Sequence, residues 1–541
     1  MQKKQSNRSA VHKTEASGKT NEKKRRRRRF VKKSASLYIL ILCVWAAVSA
    51  LLVLWLVWQC RAAGSFPVGF FLTLSVGSLI VFWLGSVKNL LFSFCYALKK
   101  PAFTAAYLPI LDTRPVVGTR VLLLYCTADD FNPEALSASL RQSWPRCRTV
   151  ILDDSRGGAV RAQIDDFAQR YGCEVVRRAD RRGYKAGNLN HFLRGRTDYD
   201  CFVVLDSDEV IPPDYVEQTL RFFAHDPKVG AVQARHIAEK GKNAFQSLLG
   251  MSVGSNGVSA QTVKNFYGAN ALLGHGMTIS RACYEATGGF PHVVAEDISF
   301  AVLIKNAGFE TVYAPFVVCR EEFPADYPSL KKRQCKWTQG NLEYMQKYHR
   351  EIVGSRMAWY EKLDLILSHY LLPVTPMLSL VLVLCSIFLG LFDYEVVRHS
   401  LFIYGLMTLF LLSPLIPDLF AYGKNRRAAP LLLPYFVLNI VTYASLAPMM
   451  IRTVLAGLCG RKAKFLVTPK GHRRFTLYEI LSATVDSLLF AFAVAVFTFW
   501  SCGTVLPAIL PVASCALAPV AVWLANFQLK PPQARRRRRR A

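Results

Sequence analysis

A short apolar run in the middle of the chain, Cys201-Phe202-Val203-Val204-Leu205, ends abruptly in Asp206-Ser207-Asp208. Such a run fits a fully buried strand. In open α/β sheets, ligands bind just beyond the carboxyl ends of the strands. Two carboxylates at that place suit a hard divalent cation such as Mg²⁺ or Mn²⁺, which in turn offsets phosphate charge. The plainer alternative is a solvated strand end followed by a helix that Pro212-Pro213-Asp214 opens.

Four other stretches carry chemistry of a compatible kind. Thr127 follows one expected strand, and Asp153-Asp154-Ser155 closes the next. Polar groups at successive strand ends suit a nucleotide's base and ribose, although Asp-Asp-Ser is also a common turn. In Gly183-Tyr184-Lys185-Ala186-Gly187-Asn188 the glycines permit tight turns, and Lys185 can meet a diphosphate as a point charge. An ordinary helix start is the alternative. Glu296-Asp297 offers a carboxylate that can serve as a general base or merely as a helix N-terminal acid. Arg333, Lys336 and Trp337 join two cations to an indole. That set can offset leaving-phosphate charge and stack on a sugar, or it can anchor a helix at a membrane surface.

These residues need a scaffold. Strands are expected at 121–125, 149–152, 174–176 and 202–205, with helices at 133–143, 159–171 and 212–223. The alternation predicts a parallel sheet with crossover helices.

Around that region the chain changes character. Hydrophobic residues make up 52% of its 541 residues, yet the net charge is +31. A membrane protein with basic flanks combines these; an ordinary soluble protein rarely does. Apolar spans are expected at 37–59, 67–87, 365–392, 401–421, 480–500 and 505–526, with an interfacial helix at 92–98. The apolar stretch 431–450 carries Pro434, Asn439 and Pro448 and precedes a strongly basic segment. It is expected to be re-entrant or interfacial, which leaves two spans before the central region and about four after it. Both ends then lie on the cytoplasmic side. The arginine runs 25–29 and 535–540 could bind nucleic acid; their closeness to apolar spans favours topology setting and anionic lipid headgroups, with no nucleic-acid partner. The polar, basic first 34 residues are expected to be disordered. The 14 cysteines form no Cys-x-x-Cys pair and read as small core residues.

In this order the motifs resemble those of the processive, membrane-integrated family 2 glycosyltransferases, the cellulose-synthase-like and hyaluronan-synthase-like proteins. The resemblance rests on Asp153-Asp154, Lys185-Ala186-Gly187-Asn188, Asp206-Ser207-Asp208, Phe266-Tyr267-Gly268-Ala269-Asn270, Glu296-Asp297, the Trp337 segment and Phe465-Leu466-Val467-Thr468-Pro469-Lys470-Gly471. It implies a GT-A-type (Rossmann-like), nucleotide-sugar-binding cytosolic α/β domain over residues 101–356. That domain would be inserted between membrane segments at 35–100 and 357–528, with an arginine tail at 529–541. Thr127, Asp153, Asp154, Lys185, Arg333 and Lys336 would meet the donor, and Asp206 and Asp208 both its diphosphate and the Mg²⁺ or Mn²⁺. Asp297, with Glu296 beside it, would deprotonate the acceptor hydroxyl. Trp337, Gly268 and Asn270 would face the acceptor. Phe465, Val467, Thr468 and Lys470 would form a gating loop within 461–475.

Three departures from the family pattern stand out. Arg333-x-x-Lys336-Trp337 replaces Gln-x-x-Arg-Trp, Ala295 stands where a Thr is expected, and the stretch after the last span is too short for a cyclic-dinucleotide-sensing barrel. The expected protein is a plasma- or inner-membrane polysaccharide synthase that transfers sugar from a UDP-sugar, first UDP-glucose, to a growing β-glycan. Two rivals are a non-processive lipid glycosyltransferase, which needs no gating loop, and an inactive transporter or scaffold, against which the intact carboxylates argue.

Overall fold

The computed structural model describes residues 30, 33–394, 396–463 and 473–529. Most of the expected disordered tail, the gating-loop residues Phe465, Val467, Thr468 and Lys470, and the 535–540 arginine run lie outside the described residues.

The central region folds around a seven-stranded sheet: β1 (Val121–Thr127), β2 (Cys147–Asp153), β3 (Glu174–Arg177), β4 (Cys201–Asp206), β5 (Val229–Ala238), β6 (Met277–Ser280) and β7 (Glu310–Glu321). Their order is β3-β2-β1-β4-β6-β5-β7. The first four are parallel, as expected, and each begins or ends within three residues of its expected bounds. The fully parallel expectation fails at β6, which runs antiparallel to both β4 and β5, so the sheet is mixed.

Period-two side-chain alternation gives this sheet two cores. Val121, Leu123 and Tyr125 of β1 join Ile151, Val203 and Leu205 on one face. Leu122 and Leu124 join Val150, Leu152, Phe202 and Val204 on the other. Burial on both faces is why these strands are unbroken apolar runs. In-register pairing sets Thr127 beside Asp153, Asp153 beside Arg177, and Cys126 beside Asp206. Four parallel strands therefore deliver their polar ends to one edge.

The membrane segments differ from expectation in three ways. The expected span 67–87 and the interfacial helix 92–98 are parts of one helix, Phe66–Leu111. The expected span stops at residue 87, just before Lys88, but Lys88 is buried and its ammonium lies 2.8 Å from Asp364, so the helix has no reason to end there. The expected span 365–392 is two helices, Trp359–His369 and Leu371–Leu391. The Pro373 ring clashes with the carbonyl four residues back, at His369, where the first helix stops. Finally, among the described residues seven helices are long and apolar enough to cross a membrane, two before the sheet and five after it. The extra one, Ala429–Leu458, contains the stretch expected to be re-entrant. It is interrupted at Leu446, and Leu446, Met449 and Met450 pack with Tyr327 and Leu330 of the central region. An even number of crossings, and so both ends on one side, requires that one of the seven not cross, and the expectation assigns that role to this interrupted helix.

Candidate active site

Asp206 is the last residue of β4, and the turn after it is closed by Glu209 N–H donating to its carbonyl. Tyr125 Oη donates to the Ser207 carbonyl at 2.8 Å, and Ser207 Oγ donates to Asp130 Oδ2 at 2.6 Å. Asp208 Oδ2 accepts the Glu322 N–H at 3.2 Å. The motif is thus pinned from β1 and from the end of β7. Its all-oxygen, anionic donor set at a strand end suits a hard divalent cation.

Lys185 enters from the helix Tyr184–Leu193. Its Nζ bonds to Asp206 and donates to the Gly274 carbonyl at 2.7 Å. Burial is the largest influence and opposes its charge, yet Asp206, Cys126 and Glu296 together outweigh it and keep the ammonium above its ordinary pKa. Gly187, two residues on, has no room for a side chain: a Cβ there would lie 2.0 Å from the Arg182 carbonyl oxygen. The glycine is what allows the Lys185 turn to sit so close against its own entry loop.

Glu296 and Asp297 form the first turn of the helix Glu296–Asn306. Asp297 Oδ1 accepts the Ile298 N–H at 2.8 Å. Its Oδ2 faces Gly274, where an added Cβ would meet that oxygen at 3.3 Å. Burial pushes both carboxyls above their usual range, and Glu296 is raised further by the charge of Asp297; Lys185 and Lys336 pull both the other way. Gly274 therefore connects the two halves of the site: its carbonyl holds the Lys185–Asp206 pair, and its Cα lies against Asp297.

Arg333, Lys336 and Trp337 lie on the helix Tyr327–Gly354 at spacings that share one face. The Arg333 guanidinium sits between the rings of Phe323 and Trp337, at 4.8 and 4.6 Å. Burial lowers the Lys336 pKa, while Asp206 and Glu296 raise it, so this lysine lies in the field of both carboxylates. Trp337 is 44% exposed. Arg333 occupies the space over its ring on one side.

The expected donor-base residues are held by bonds that sequence reading did not foresee. Asp153 is buried and committed to Arg177, whose Nε lies 2.6 Å from Oδ2. Asp154 receives the Arg178 fork, at 2.9 and 2.6 Å. Arg178 also donates to the carbonyls of Arg182 and Tyr184, tying Asp154 to the Lys185 turn. Thr127 Oγ1 donates to Asp130 Oδ1 at 3.0 Å. Asp129, with φ of 63°, accepts the N–H groups of Arg156 and Gly157 and fastens the loop after β1 to the loop after β2.

Gly268 and Asn270, expected at the acceptor, have their contacts elsewhere. Gly268 packs against Asp364, Ala269 N–H donates to Asp364 Oδ2 at 2.9 Å, and the Asn270 amide bonds to Asn265. Only the Ala269 bond reaches the helix Trp359–His369; Gly268 N–H donates to the Lys264 carbonyl, and Asn270 is held by Asn265. Sequence reading also missed Asp129, Asp130, Arg178 and a buried group of Glu209, His236, His275 and Glu321. Of these only Glu209 adjoins a recognised motif.

Residues 201–422 match the family model described as glycosyl transferase family group 2. The match begins at β4 and runs on into the membrane helices, leaving β1 to β3 and Lys185 outside it. A probable glucomannan 4-beta-mannosyltransferase of Oryza sativa subsp. japonica is 27% identical over 42% of this chain and 42% of its own. One of Arabidopsis thaliana is 26% identical over 44% of this chain and 47% of its own. The chain thus spans about half the length of the curated relatives it matches. A solved mannosyltransferase of Pyrobaculum calidifontis, in complex with GDP-Man and Mn²⁺, aligns with 71% of this chain and 100% of its own at 20% identity and a TM-score of 0.44.

Proposed function

Starting from a chain that carries a family 2 glycosyltransferase domain, we propose an inverting hexosyltransferase that extends a β-glycan at a membrane. The observation that carries this reading is Gly274, which joins Lys185 and Asp206 on one side to Asp297 on the other. Inversion in a single displacement needs that separation of roles. Asp297 takes the proton of the acceptor hydroxyl at Oδ2, while Oδ1 stays fixed on the Ile298 N–H. The hydroxyl oxygen bonds to the anomeric carbon as the nucleoside diphosphate leaves. Lys185, Lys336 and Arg333 offset the negative charge that accumulates on the departing phosphate. Asp206 and Asp208 would hold Mg²⁺ or Mn²⁺, which would neutralise further charge at the diphosphate. Trp337 offers its ring face to the acceptor sugar.

For the donor, the relatives' mannosyltransferase names move GDP-mannose ahead of the UDP-glucose expected from sequence. Processive synthesis with export is favoured by the apolar helices around the sheet and by the gating-loop sequence at 465–471. The catalytic region then faces the cytoplasm, where nucleotide sugars are made.

The test is release of nucleoside diphosphate by detergent-purified protein, with Mg²⁺ or Mn²⁺, across GDP-mannose, UDP-glucose and other donors. Products are sized and cut with linkage-specific hydrolases. A long polymer cleaved by a β-mannanase establishes the reading. A lipid carrying one or two sugars replaces processive synthesis with lipid glycosylation, and absence of turnover with every donor overturns the enzymatic reading.

A further inference from the structure

Directly after Asp208, the chain buries a carboxylate. Glu209 is fully buried and lies against two histidines from other segments, His236 of β5 and His275 of the loop before β6. The two imidazoles are stacked, with ring centroids 4.4 Å apart and an interplanar angle of 19°. A carboxylate stands at each edge of the pair. Glu321 Oε2 lies 3.3 Å from His236 Nδ1 and 3.2 Å from His275 Nε2. On the opposite edge, Glu209 lies 3.6 Å from His236 Nε2 and 3.2 Å from His275 Nδ1.

This arrangement sorts the four ring nitrogens. Glu321 can accept from both nitrogens that face it, which leaves His236 Nε2 and His275 Nδ1 as lone pairs turned toward Glu209. Gln233 Nε2, at 3.3 Å from His236 Nε2, is placed to donate to that same lone pair. Glu209 Oε1 and His275 Nδ1 have no hydrogen-bond partner although both are buried. Three electron-rich atoms thus converge within 4.8 Å of one another. The space between them is kept open by Gly276, where a Cβ would lie 2.4 Å from Glu209 Oε1 and 2.5 Å from His236 Nε2. Ligand atoms about 2.1 Å from a tetrahedral ion stand about 3.4 Å apart; Glu209 Oε1 lies 3.6 Å from His236 Nε2, and its Oε2, which accepts the Gly276 N–H at 2.9 Å, lies 3.2 Å from His275 Nδ1.

We propose that Glu209, His236 and His275 bind a divalent transition-metal ion of the zinc class, distinct from the ion at Asp206 and Asp208, with Glu321 orienting both imidazoles from behind. Imidazole and carboxylate together select such an ion over Mg²⁺ or Ca²⁺, which prefer oxygen alone. A carboxylate on the outer nitrogen is the usual partner of a metal-bound histidine. A divalent cation also offsets the charge of Glu209 and Glu321, the two glutamates that flank the rings. The ion would tie together four segments beneath the donor site. Glu209 follows Asp208, His275 follows Gly274, and Glu321 precedes the Glu322 whose N–H holds Asp208. The irregular pairing of β5 and β7 serves this assembly. Register shifts between Ala234 and Arg235, where β7 bulges at Pro315 to Val317, re-aim the strand ends that carry His236 and Glu321.

The test uses the full-length protein in detergent, gel-filtered in metal-free buffer, with metal content read by plasma mass spectrometry. One tightly held transition ion per chain is expected, retained in the Asp206→Asn/Asp208→Asn variant and lost in His236→Gln/His275→Gln. X-ray absorption fine structure at the metal edge of the unmutated protein, or of protein loaded with Co²⁺, should read two imidazoles around the ion, and needs no variant to fold. Loss of the ion from the Asp206/Asp208 variant would assign it to the donor site and overturn the proposal. So would a protein that holds no ion and takes up no Co²⁺.

Discussion

Glu296 and Asp297 are adjacent, acidic and raised by burial, yet conservative amides at the two positions should behave oppositely. Asp297 has one oxygen on the Ile298 N–H and the other facing Gly274 beside the Lys185–Asp206 pair. Asp297→Asn keeps the first bond and loses the base. General-base catalysis contributes ~10²–10⁴-fold, so a loss of ~10³, or ~4 kcal/mol in the barrier, is expected with little change in donor KM. Glu296 is buried, and Asp297's charge raises its carboxyl further, so at neutral pH it carries its proton. Glu296→Gln replaces a neutral group by a neutral group of the same shape. Its rate at pH 7 should stay within about threefold, ~0.6 kcal/mol. The pH dependence has a definite sign. Asp297's folded pKa is raised, so the acid limb of the rate lies above the ~3.9 of an ordinary aspartate. Glu296's folded pKa is also raised, so its contribution to stability is present at low pH and lost as pH rises through the folded value. The unmutated protein should therefore lose thermal stability as pH rises from about 4.5 to about 8, a loss that Glu296→Gln does not show. Initial rates of nucleoside diphosphate release from pH 5 to 9, with melting curves alongside, read both effects. If Asp297→Asn keeps more than a tenth of the rate, or Glu296→Gln loses as much as Asp297→Asn, the division of roles is wrong.

Other perturbations follow from contacts already described. Arg178→Lys removes the fork on Asp154 and should raise donor KM about tenfold, the worth of one charge-assisted hydrogen bond; an unchanged KM would separate Asp154 from donor binding. Gly187→Ala forces a Cβ onto the Arg182 carbonyl and should cost ~1–3 kcal/mol of stability together with most activity, measured by melting and turnover; a neutral effect would contradict the close approach. Asp364→Asn leaves Lys88 and Lys264 without their shared carboxylate and should cost ~3–5 kcal/mol. A melting temperature unchanged in detergent would refute that account of why the Phe66–Leu111 helix runs on through Lys88. Trp337→Ala should shorten the product on a sizing gel while leaving donor KM alone; full-length product would remove the ring from the acceptor path.

How much of this could be read beforehand depended on whether the signal was local. The strands β1, β2 and β4 declare themselves because burial on both faces demands an unbroken apolar run, and their polar ends follow at once. The strand β6 is four residues long, and β7 carries Pro315, so neither yields a pattern that sequence alone separates from loop. The Lys185, Asp206 and Asp297 positions were legible because each sits at an element boundary with recognisable neighbours. Arg178 and the Glu209–His236–His275–Glu321 group were not, since their meaning arises only when separate segments meet. Asp153 shows the converse: it looked like a ligand-facing acid, and Arg177 on the neighbouring strand claims it. Lys88 misled for the same reason, because the carboxylate that neutralises it comes from far along the chain.

The continuity of the Phe66–Leu111 helix has a mechanical consequence. Its 46 residues give a rod roughly 69 Å long, more than twice the ~30 Å hydrocarbon thickness of a bilayer. Near its far end, Tyr107 is wedged among Phe30, Phe222, Phe266 and Phe316, with its hydroxyl on the Tyr313 carbonyl at 3.3 Å. Such a rod is a lever with its fulcrum in the lipid. A change of about 10° in tilt swings an arm of about 39 Å through about 7 Å at the base of the sheet. A thinner or thicker bilayer alters that tilt, so the height and attitude of the sheet over the membrane become a function of lipid composition. Pro101 and Pro109, which each remove a helix hydrogen bond, are the joints at which the lever gives way or transmits. Rates of nucleoside diphosphate release in bilayers of different acyl-chain length would read that coupling.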